Sequence, residues 1–466
     1  MTGKRIRDPL YGFIRVDGLD LKIIDHKLVQ RLRWISQLPL EQLVYPSAQH
    51  SRFEHSLGVM HLAEIAADRL IQNSKERFDE AVDAHSSPLR KDFKKEEDLH
   101  NFFVRCAKWS GLLHDLGHAP FSHTLEDACR YSVNAPVKYD HENFGYFLAR
   151  KIFEDLKDVG LDKGLMGIVL RVLNKNIQLS DLYPLEILIR RIIDGPMDVD
   201  KGDYLPRDSY HCGVNYGVYD HTFLWDNVVI TQSFQLGVLP KAALEAWGLT
   251  LARHKMFNYV YKHHVRTITD ALLVEILQLS FDAPGMNHND LRDIVPLQAP
   301  ADVDVGQNLH KFVHWTDNSL LKALDSLGNS EISSRIEAFS SRNLYKKSFA
   351  VNLSAYPNAV GNESDVLQRI NILKNQTASQ GMAWNAIPLN EIIVPVFDRK
   401  VQRELLVQED SGQEIPVAEY LGFGVDEDQI QEQGDMFLHV FVKPFSSFSC
   451  DDLKNRVADL LKDFEV

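Results

Sequence analysis

The stretch that most limits what this chain can fold into is 109–123, WSGLLHDLGHAPFSH. An apolar run through Cys106, Ala107, Trp109, Leu112 and Leu113 predicts a helix entering a core, and the run ends on two polar side chains, His114 and Asp115. Gly117 stands where a helix stops, and Pro120 keeps the chain from resuming it at once. An imidazole and a carboxylate carried into a core are costly unless they are paired or bind a metal. Adjacent helical positions lie about 100° apart, so at a helix end both side chains can lean onto one ion. A lone His-Asp pair is common and most often binds nothing. Here His118, His123 and the triplet Asp140-His141-Glu142 crowd the same region, and histidines this dense beside an apolar helix suit chemistry better than packing.

Two further stretches carry matching residues. A helix is expected from about Arg52, with Leu57, Val59, Leu62, Ile65 and Ala66 on its buried side. His55 falls in its first turns, within reach of a metal, while His50 and His61 read as structural or exposed. Residues 195–214, GPMDVDKGDYLPRDSYHCGV, hold Asp198, Asp200, Asp203 and Asp208 beside Lys201 and Arg207. That segment has little hydrophobic length for a core and suits metal and phosphate work; its spacing beyond Lys201 does not fit a calcium loop. His55, His114, Asp115 and Asp200 could form one site. Two imidazoles and two carboxylates suit Mn, Fe, Mg or Zn with open positions for water and a phosphate oxygen.

The rest of the chain supplies the frame. Residues 4–18 predict a β-hairpin around the DPLYG turn. Residues 19–38 have apolar positions at helical spacing, with Gln30, Arg31 and Arg33 on the outer faces. Residues 72–101 are charge-rich and read as an exposed insertion or helix extension. Helical material is expected from near Asp140, over 155–193, and as one long run over 239–281; 283–310 reads as loop. Beyond it come helices in HWTDNSLLKALDSL and SSRIEAFSSRNLYKKSFAV (the second turning strand-like), a helix over 364–375, strands in NEIIVPVF, ELLVQE, IPVAEYL and DMFLHVFV, and an amphipathic C-terminal helix. The fold class expected is mostly α: a short N-terminal hairpin followed by helices over residues 1–280, then a smaller α+β region over 281–466.

Bulk properties exclude several functions. A formal net charge of −14 argues against a protein whose main task is gripping nucleic acid, so an anionic ligand must be met by a local cluster of Lys and Arg. Four widely spaced cysteines without a CxxC pair read as reduced residues of a cytoplasmic protein. The start, MTGKRIRDPL, lacks the apolar segment of a signal peptide, and no stretch is apolar enough to span a membrane.

The order H…HD…D, set in the words RFEHSLGV, LLHDLGHAPFSH and DVDKGDYLPRDSYHCGV, resembles the HD-domain phosphohydrolases, and within them the deoxynucleoside triphosphate triphosphohydrolases. The resemblance runs from residue 4 to about 270 and is weaker beyond, where RNLYKKSF is its best echo. It implies an HD-domain helical core and hydrolysis of a dNTP to deoxynucleoside and inorganic triphosphate. By matching positions it implies that His55, His114, Asp115 and Asp200 bind the metal, and that His118, His123 and His141 line the phosphate site. His123 would protonate the leaving oxygen or otherwise act at the α-phosphorus, and Glu126 stands where the family often has Asp. Arg52, Lys201 and Arg253 would hold the triphosphate. Gln37 and Asp208 would read the 3′-hydroxyl, Tyr204 and Leu38 would close on the sugar, and Tyr261 would lie near the base. Phe257 stands where the family has His, which leaves base preference open. The resemblance further implies homotetramers activated by GTP or dGTP, the guanine read by Lys4, Asp25, Gln30 and Arg33; an Asp acceptor and an Arg donor suit a guanine, and the alternative reading is an ordinary polar helix face. Other readings are an HD enzyme acting on a nucleoside monophosphate, on (p)ppGpp or on a nucleic-acid 3′ end, and a nucleotide-sensing module.

Overall fold

Two helices, Arg52–Asn73 and Glu96–Leu113, lie against each other at the centre of the fold. They pack closely because Gly111 presents no side chain to the opposing backbone; a Cβ there would stand 3.0 Å from the Val59 carbonyl oxygen. The computed structural model describes residues 3–84, 95–131, 139–281, 312–359, 362–378, 384–389, 405–409, 411–422, 437–442 and 449–464. Around the central pair stand the helices His123–Tyr131, His141–Asp155, Lys163–Leu173, Pro184–Ile193, Val199–Cys212, Ala243–Met256 and His264–Phe281. The fold is mostly α, as the sequence predicts.

Three small sheets complete it. Strands β1 (Lys4–Asp8) and β2 (Gly12–Val16) form the expected N-terminal hairpin. β3 (Val228–Ile230) and β4 (Leu236–Val238) are antiparallel, and β4 pairs in parallel with β7 (Leu406–Gln408), itself antiparallel to β8 (Glu414–Pro416). The third sheet has the order β5 (Lys346–Asn352), β9 (Phe437–Val442), β6 (Trp384–Leu389). Its inner face packs with the helices Glu363–Ala378 and Cys450–Leu461 into a separate small core that includes Val366, Ile370, Leu438, Val440, Leu453 and Val457.

Several expectations need correction. Residues 19–38 are not one helix but Gly18–Ile24, Lys27–Gln30 and a 3₁₀ turn, Arg31–Trp34. Polar side chains offer the backbone other partners there: Gln30 Nε2 donates to the Ile24 carbonyl (2.8 Å), and the Leu28 N–H donates to His26 Nδ1 (3.3 Å). The 239–281 run divides at a π-helical turn, Phe257–Tyr261, and restarts at His264. Beyond the expected hairpin, the first part also carries the strands β3 and β4. IPVAEYL is a strand only to Pro416 and then the short helix Val417–Tyr420. Strand β6, Trp384–Leu389, is an element the sequence pattern does not predict. NEIIVPVF and the 283–310 loop lie outside the described residues.

Candidate active site

The four candidate ligands arrive from three helices. His55 is in the first turn of Arg52–Asn73, His114 caps the end of Glu96–Leu113 with Asp115 next to it, and Asp200 is in the first turn of Val199–Cys212. His55 Nε2 lies 3.0 Å from Asp200 Oδ1 and 3.7 Å from Asp115 Oδ2. His114 Nε2 lies 3.3 Å from Asp115 Oδ1 and 3.4 Å from Asp200 Oδ1, yet it is buried and makes no hydrogen bond. Burial acts to lower the His55 pKa, but the Asp200 and Asp203 carboxylates outweigh it and push it up to about 10. Asp200 is driven well below the usual carboxylate range, because His114 and His55 overcome its own burial. Carboxylates that draw protons onto two buried imidazoles have the charge balance of a cation site, and the donor set fits a divalent ion.

Behind His55 stands a network the sequence reading missed. Asp203 Oδ2 lies 2.8 Å from His55 Nδ1, and Asp203 also accepts from Arg207 Nε and Nη2 (2.8 Å each) and from the Tyr11 hydroxyl (2.8 Å). While Asp200, Lys201 and Tyr204 line a cavity, the acidic 195–214 segment gives two fully buried charged residues, Asp203 and Arg207, to the interior. The usable signal was their i,i+4 spacing, which pairs the two charges on one helix face.

The histidines of 118–141 form one wall. Gly117 lets the His141–Asp155 helix settle on the chain after Asp115; a Cβ there would meet the His141 carbonyl oxygen at 2.0 Å. His141 thereby stacks on His118, with ring centroids 4.1 Å apart. Phe121 and Ser122 both take left-handed backbone (φ 58° and 49°), which is unfavourable for residues with a Cβ. The stretch is pinned from outside. Asp317 accepts from the Phe121 and Ser36 N–H groups (2.8 and 2.9 Å), Arg52 Nε donates to Ser122 Oγ (2.8 Å), and Arg31 Nη1 donates to the His118 carbonyl (2.8 Å). Arg31, expected on an outer face, is thus buried and structural. Glu126 Oε2 lies 3.2 Å from His123 Nδ1 and 3.0 Å from His141 Nδ1. Burial acts to raise the Glu126 carboxyl, but those two contacts prevail and hold it at about 2. The ionised Glu126 therefore fixes both rings by Nδ1 and leaves Nε2 to the cavity. His118 is held well below its ordinary pKa by burial first and by Arg52 second, so it stays neutral.

A cavity of about 1760 Å³ opens over this wall. Among the expected residues it is lined by Gln37, Leu38, Arg52, His114, Asp115, His118, His123, His141, Asp200, Lys201, Tyr204, Asp208, Phe257 and Tyr261. Arg52 Nη1 is bound to Asp115, and Lys201 Nζ to Asp198 and to the Gly195 carbonyl (2.8 Å). Asp208 sits between His50 Nε2 and the Tyr261 hydroxyl, each at 2.7 Å, which gives His50 a buried partner. The Tyr204 hydroxyl is pushed up to about 12 by burial, against the opposing pull of Lys201. His55, Glu126 and Arg253 are not lining residues, although the Arg253 charge acts on Tyr204. Arg266 also lines the cavity, its Nε 3.2 Å from Glu41 and its Nη1 2.9 Å from Asp270.

Of the four expected activator residues, Gln30 and Arg33 are joined: Arg33 Nε donates to Gln30 Oε1 (2.8 Å) and the guanidinium lies over the Phe53 ring (3.7 Å). Lys4 and Asp25 are exposed, with no hydrogen bond or ion pair to that pair among the described residues. The four cysteines are unpaired; Cys450 is exposed and the others are buried. Among the described residues no helix is long and apolar enough to cross a membrane.

Residues 52–193 match the HD domain family, a span that holds His55, His114 and Asp115 and stops short of Asp200. The chain is 33% identical over 326 residues to an uncharacterised protein of Methanocaldococcus jannaschii, covering 69% of this chain and 57% of that protein. It is 27% identical over 376 residues to the deoxynucleoside triphosphate triphosphohydrolase SAMHD1 of Bos taurus, covering 74% and 58%. The chain therefore spans less than two thirds of the length of these relatives. A crystal structure of a phosphohydrolase from Bacteroides thetaiotaomicron superposes with a TM-score of 0.67 over 95% of this chain and all of that one, at 20% identity, a likeness of fold.

Proposed function

From an HD domain that carries three of the four candidate ligands, we propose that this chain is a divalent-metal-dependent phosphohydrolase that cleaves a dNTP into deoxynucleoside and inorganic triphosphate. The observation that carries this reading is the convergence of His55, His114, Asp115 and Asp200 beside a cavity that also presents histidines and cations for phosphate and Gln37, Asp208 and Tyr261 for a sugar. A divalent ion bound there supplies Lewis acidity and a water of lowered pKa.

The chain's own residues divide the remaining work. Arg52, Lys201 and Arg253 neutralise phosphate oxygens; an acidic protein has to gather such cations locally. Arg52 and Lys201 exchange part of their present contacts with Asp115 and Asp198 for a phosphate oxygen. His118 presents a neutral imidazole to the phosphate, and His141 stacks beside it on the same wall. His123, whose side chain is 61% exposed, delivers a proton from Nε2 to the leaving 5′-oxygen while Glu126 holds its Nδ1. Asp208 accepts from the 3′-hydroxyl beside Gln37, and Tyr204 and Leu38 close on the sugar where a 2′-hydroxyl would crowd. Tyr261 and Phe257 lie toward the base. Lys4, Asp25, Gln30 and Arg33 form the site for a guanine nucleotide that activates a homotetramer; an Arg donor and an Asp acceptor match the guanine edge.

The test is incubation with Mn²⁺ and each of the four dNTPs, with and without GTP, with products resolved by anion chromatography. Tripolyphosphate and deoxynucleoside in equal amounts are expected. All four dNTPs remaining intact in the presence of GTP would overturn the reading, and release of phosphate from nucleoside monophosphates would replace it with a different HD substrate.

A further inference from the structure

The N-terminal hairpin reaches the candidate metal centre. Its turn supplies Tyr11, whose hydroxyl donates to Asp203 Oδ1 at 2.8 Å, and Asp8, whose Oδ2 accepts from Arg207 Nη1 at 3.0 Å. Asp203 in turn holds His55 Nδ1 at 2.8 Å, on the side of the ring away from Asp200. Relative exposures of Asp203, Arg207, His55 and Asp8 are 0, 0, 1 and 6%, so nothing in solvent competes for these contacts. Gly58 makes room for them: a Cβ there would stand 1.8 Å from Asp203 Oδ1 and 2.5 Å from Arg207 Nη2.

The charges are arranged with a purpose that packing alone does not require. Asp8 and Asp203 flank one guanidinium, which leaves one net negative charge directly behind His55. An imidazole that donates its Nδ1–H to a carboxylate is fixed in the tautomer whose Nε2 can ligate, and it becomes a stronger donor to the ion. Tyr11 and Arg207 hold that carboxylate in place. Without the hairpin, Asp203 would lose one of its donors and Arg207 its second carboxylate.

We infer that the β1–β2 turn is part of the metal centre: Tyr11 and Asp8 are positioning residues that set the orientation of His55, and so the affinity for the ion, through Asp203 and Arg207. This rests on reading His55, His114, Asp115 and Asp200 as metal ligands.

The full chain, stripped of metal, is titrated with Mn²⁺ while free ion is followed by electron paramagnetic resonance, and with Co²⁺ while the visible absorption of the bound ion is recorded. Tyr11→Phe and Asp8→Asn are compared with the unaltered chain. Affinity for Mn²⁺ is expected to fall about tenfold in each, as for other changes behind a ligating histidine, with a displaced Co²⁺ band. Affinities within twofold and an unchanged Co²⁺ spectrum, even with a lowered melting temperature, would overturn the inference and make the hairpin a structural clamp only. If Tyr11→Phe does not fold, as judged by circular dichroism, Asp8→Asn carries the same comparison. Affinity that falls in the variants of a chain that hydrolyses no dNTP would support this inference and overturn the substrate assignment alone. Binding equal in the unaltered chain and in His55→Ala would overturn both.

Discussion

Glu41 offers a quantitative check on how this cavity is built. Its carboxylate is fully buried behind the wall, and neither oxygen makes a hydrogen bond. Arg266 Nε stands 3.2 Å away without hydrogen-bond geometry. Burial pushes the carboxyl from its ordinary 4.5 up to about 8, against a smaller pull from Arg266. Below pH 4.5 both the folded and the unfolded chain hold the proton. Between 4.5 and 8 the unfolded chain has released it while the folded chain keeps it, so stability falls as pH rises through that window. At about 1.36 kcal/mol per pH unit, the loss approaches about 5 kcal/mol by pH 8. Glu41→Gln keeps the shape and stays neutral throughout. The denaturant midpoint of the variant relative to the unaltered chain, measured from pH 5 to pH 8.5, is expected to climb steadily and level off near 8. A difference that stays flat across that range would refute the reasoning.

Gly58→Ala drives a methyl into the Asp203–Arg207 pair, and breaking a buried ion pair of this kind is expected to cost about 3 kcal/mol in denaturant unfolding and to empty the metal centre, read as bound metal per chain. His114→Ala or Asp115→Ala should abolish turnover and lower metal content with circular dichroism unchanged; a near-normal rate at full metal content would remove the ligand assignment. Asp25→Ala or Arg33→Ala should abolish activation by GTP without altering metal content, and equal activation would reject that site.

The residues legible in the sequence were those whose chemistry is local. A helix ending on His114-Asp115 before Gly117 announces buried polar groups, and the structure brings His55 and Asp200 to that point. Helix starts at Arg52 and near Asp140 were legible because capping is written in adjacent residues: Glu54 reaches back to the Ser51 N–H (3.4 Å), and Asp140 accepts from the Glu142 and Asn143 N–H groups. What stayed hidden depends on partners far along the chain. Tyr11 meets Asp203 across 192 positions, and Asp317 ties Ser36 to Phe121. Asp203 reads as one acid among several until Arg207, His55 and Tyr11 surround it. β6 was missed because it contains Asn385 and Pro388, which argue against a strand, and because its partner among the described residues is the remote β9. The division of the 239–281 run follows from the π-helical turn that brings Tyr261 to Asp208, and nothing in its apolar periodicity marks that turn.

The parallel contact between β4 and β7 ties residue 238 to residue 407, so the middle of the chain and its C-terminal region share one sheet. A shortened polypeptide stopped near residue 280 would keep β3 and β4 yet strip β4 of its outer neighbour, leaving a row of amide and carbonyl groups open to any passing strand. Such a fragment would self-associate through that bare edge, and its enzymology would report on an aggregate instead of a catalytic unit.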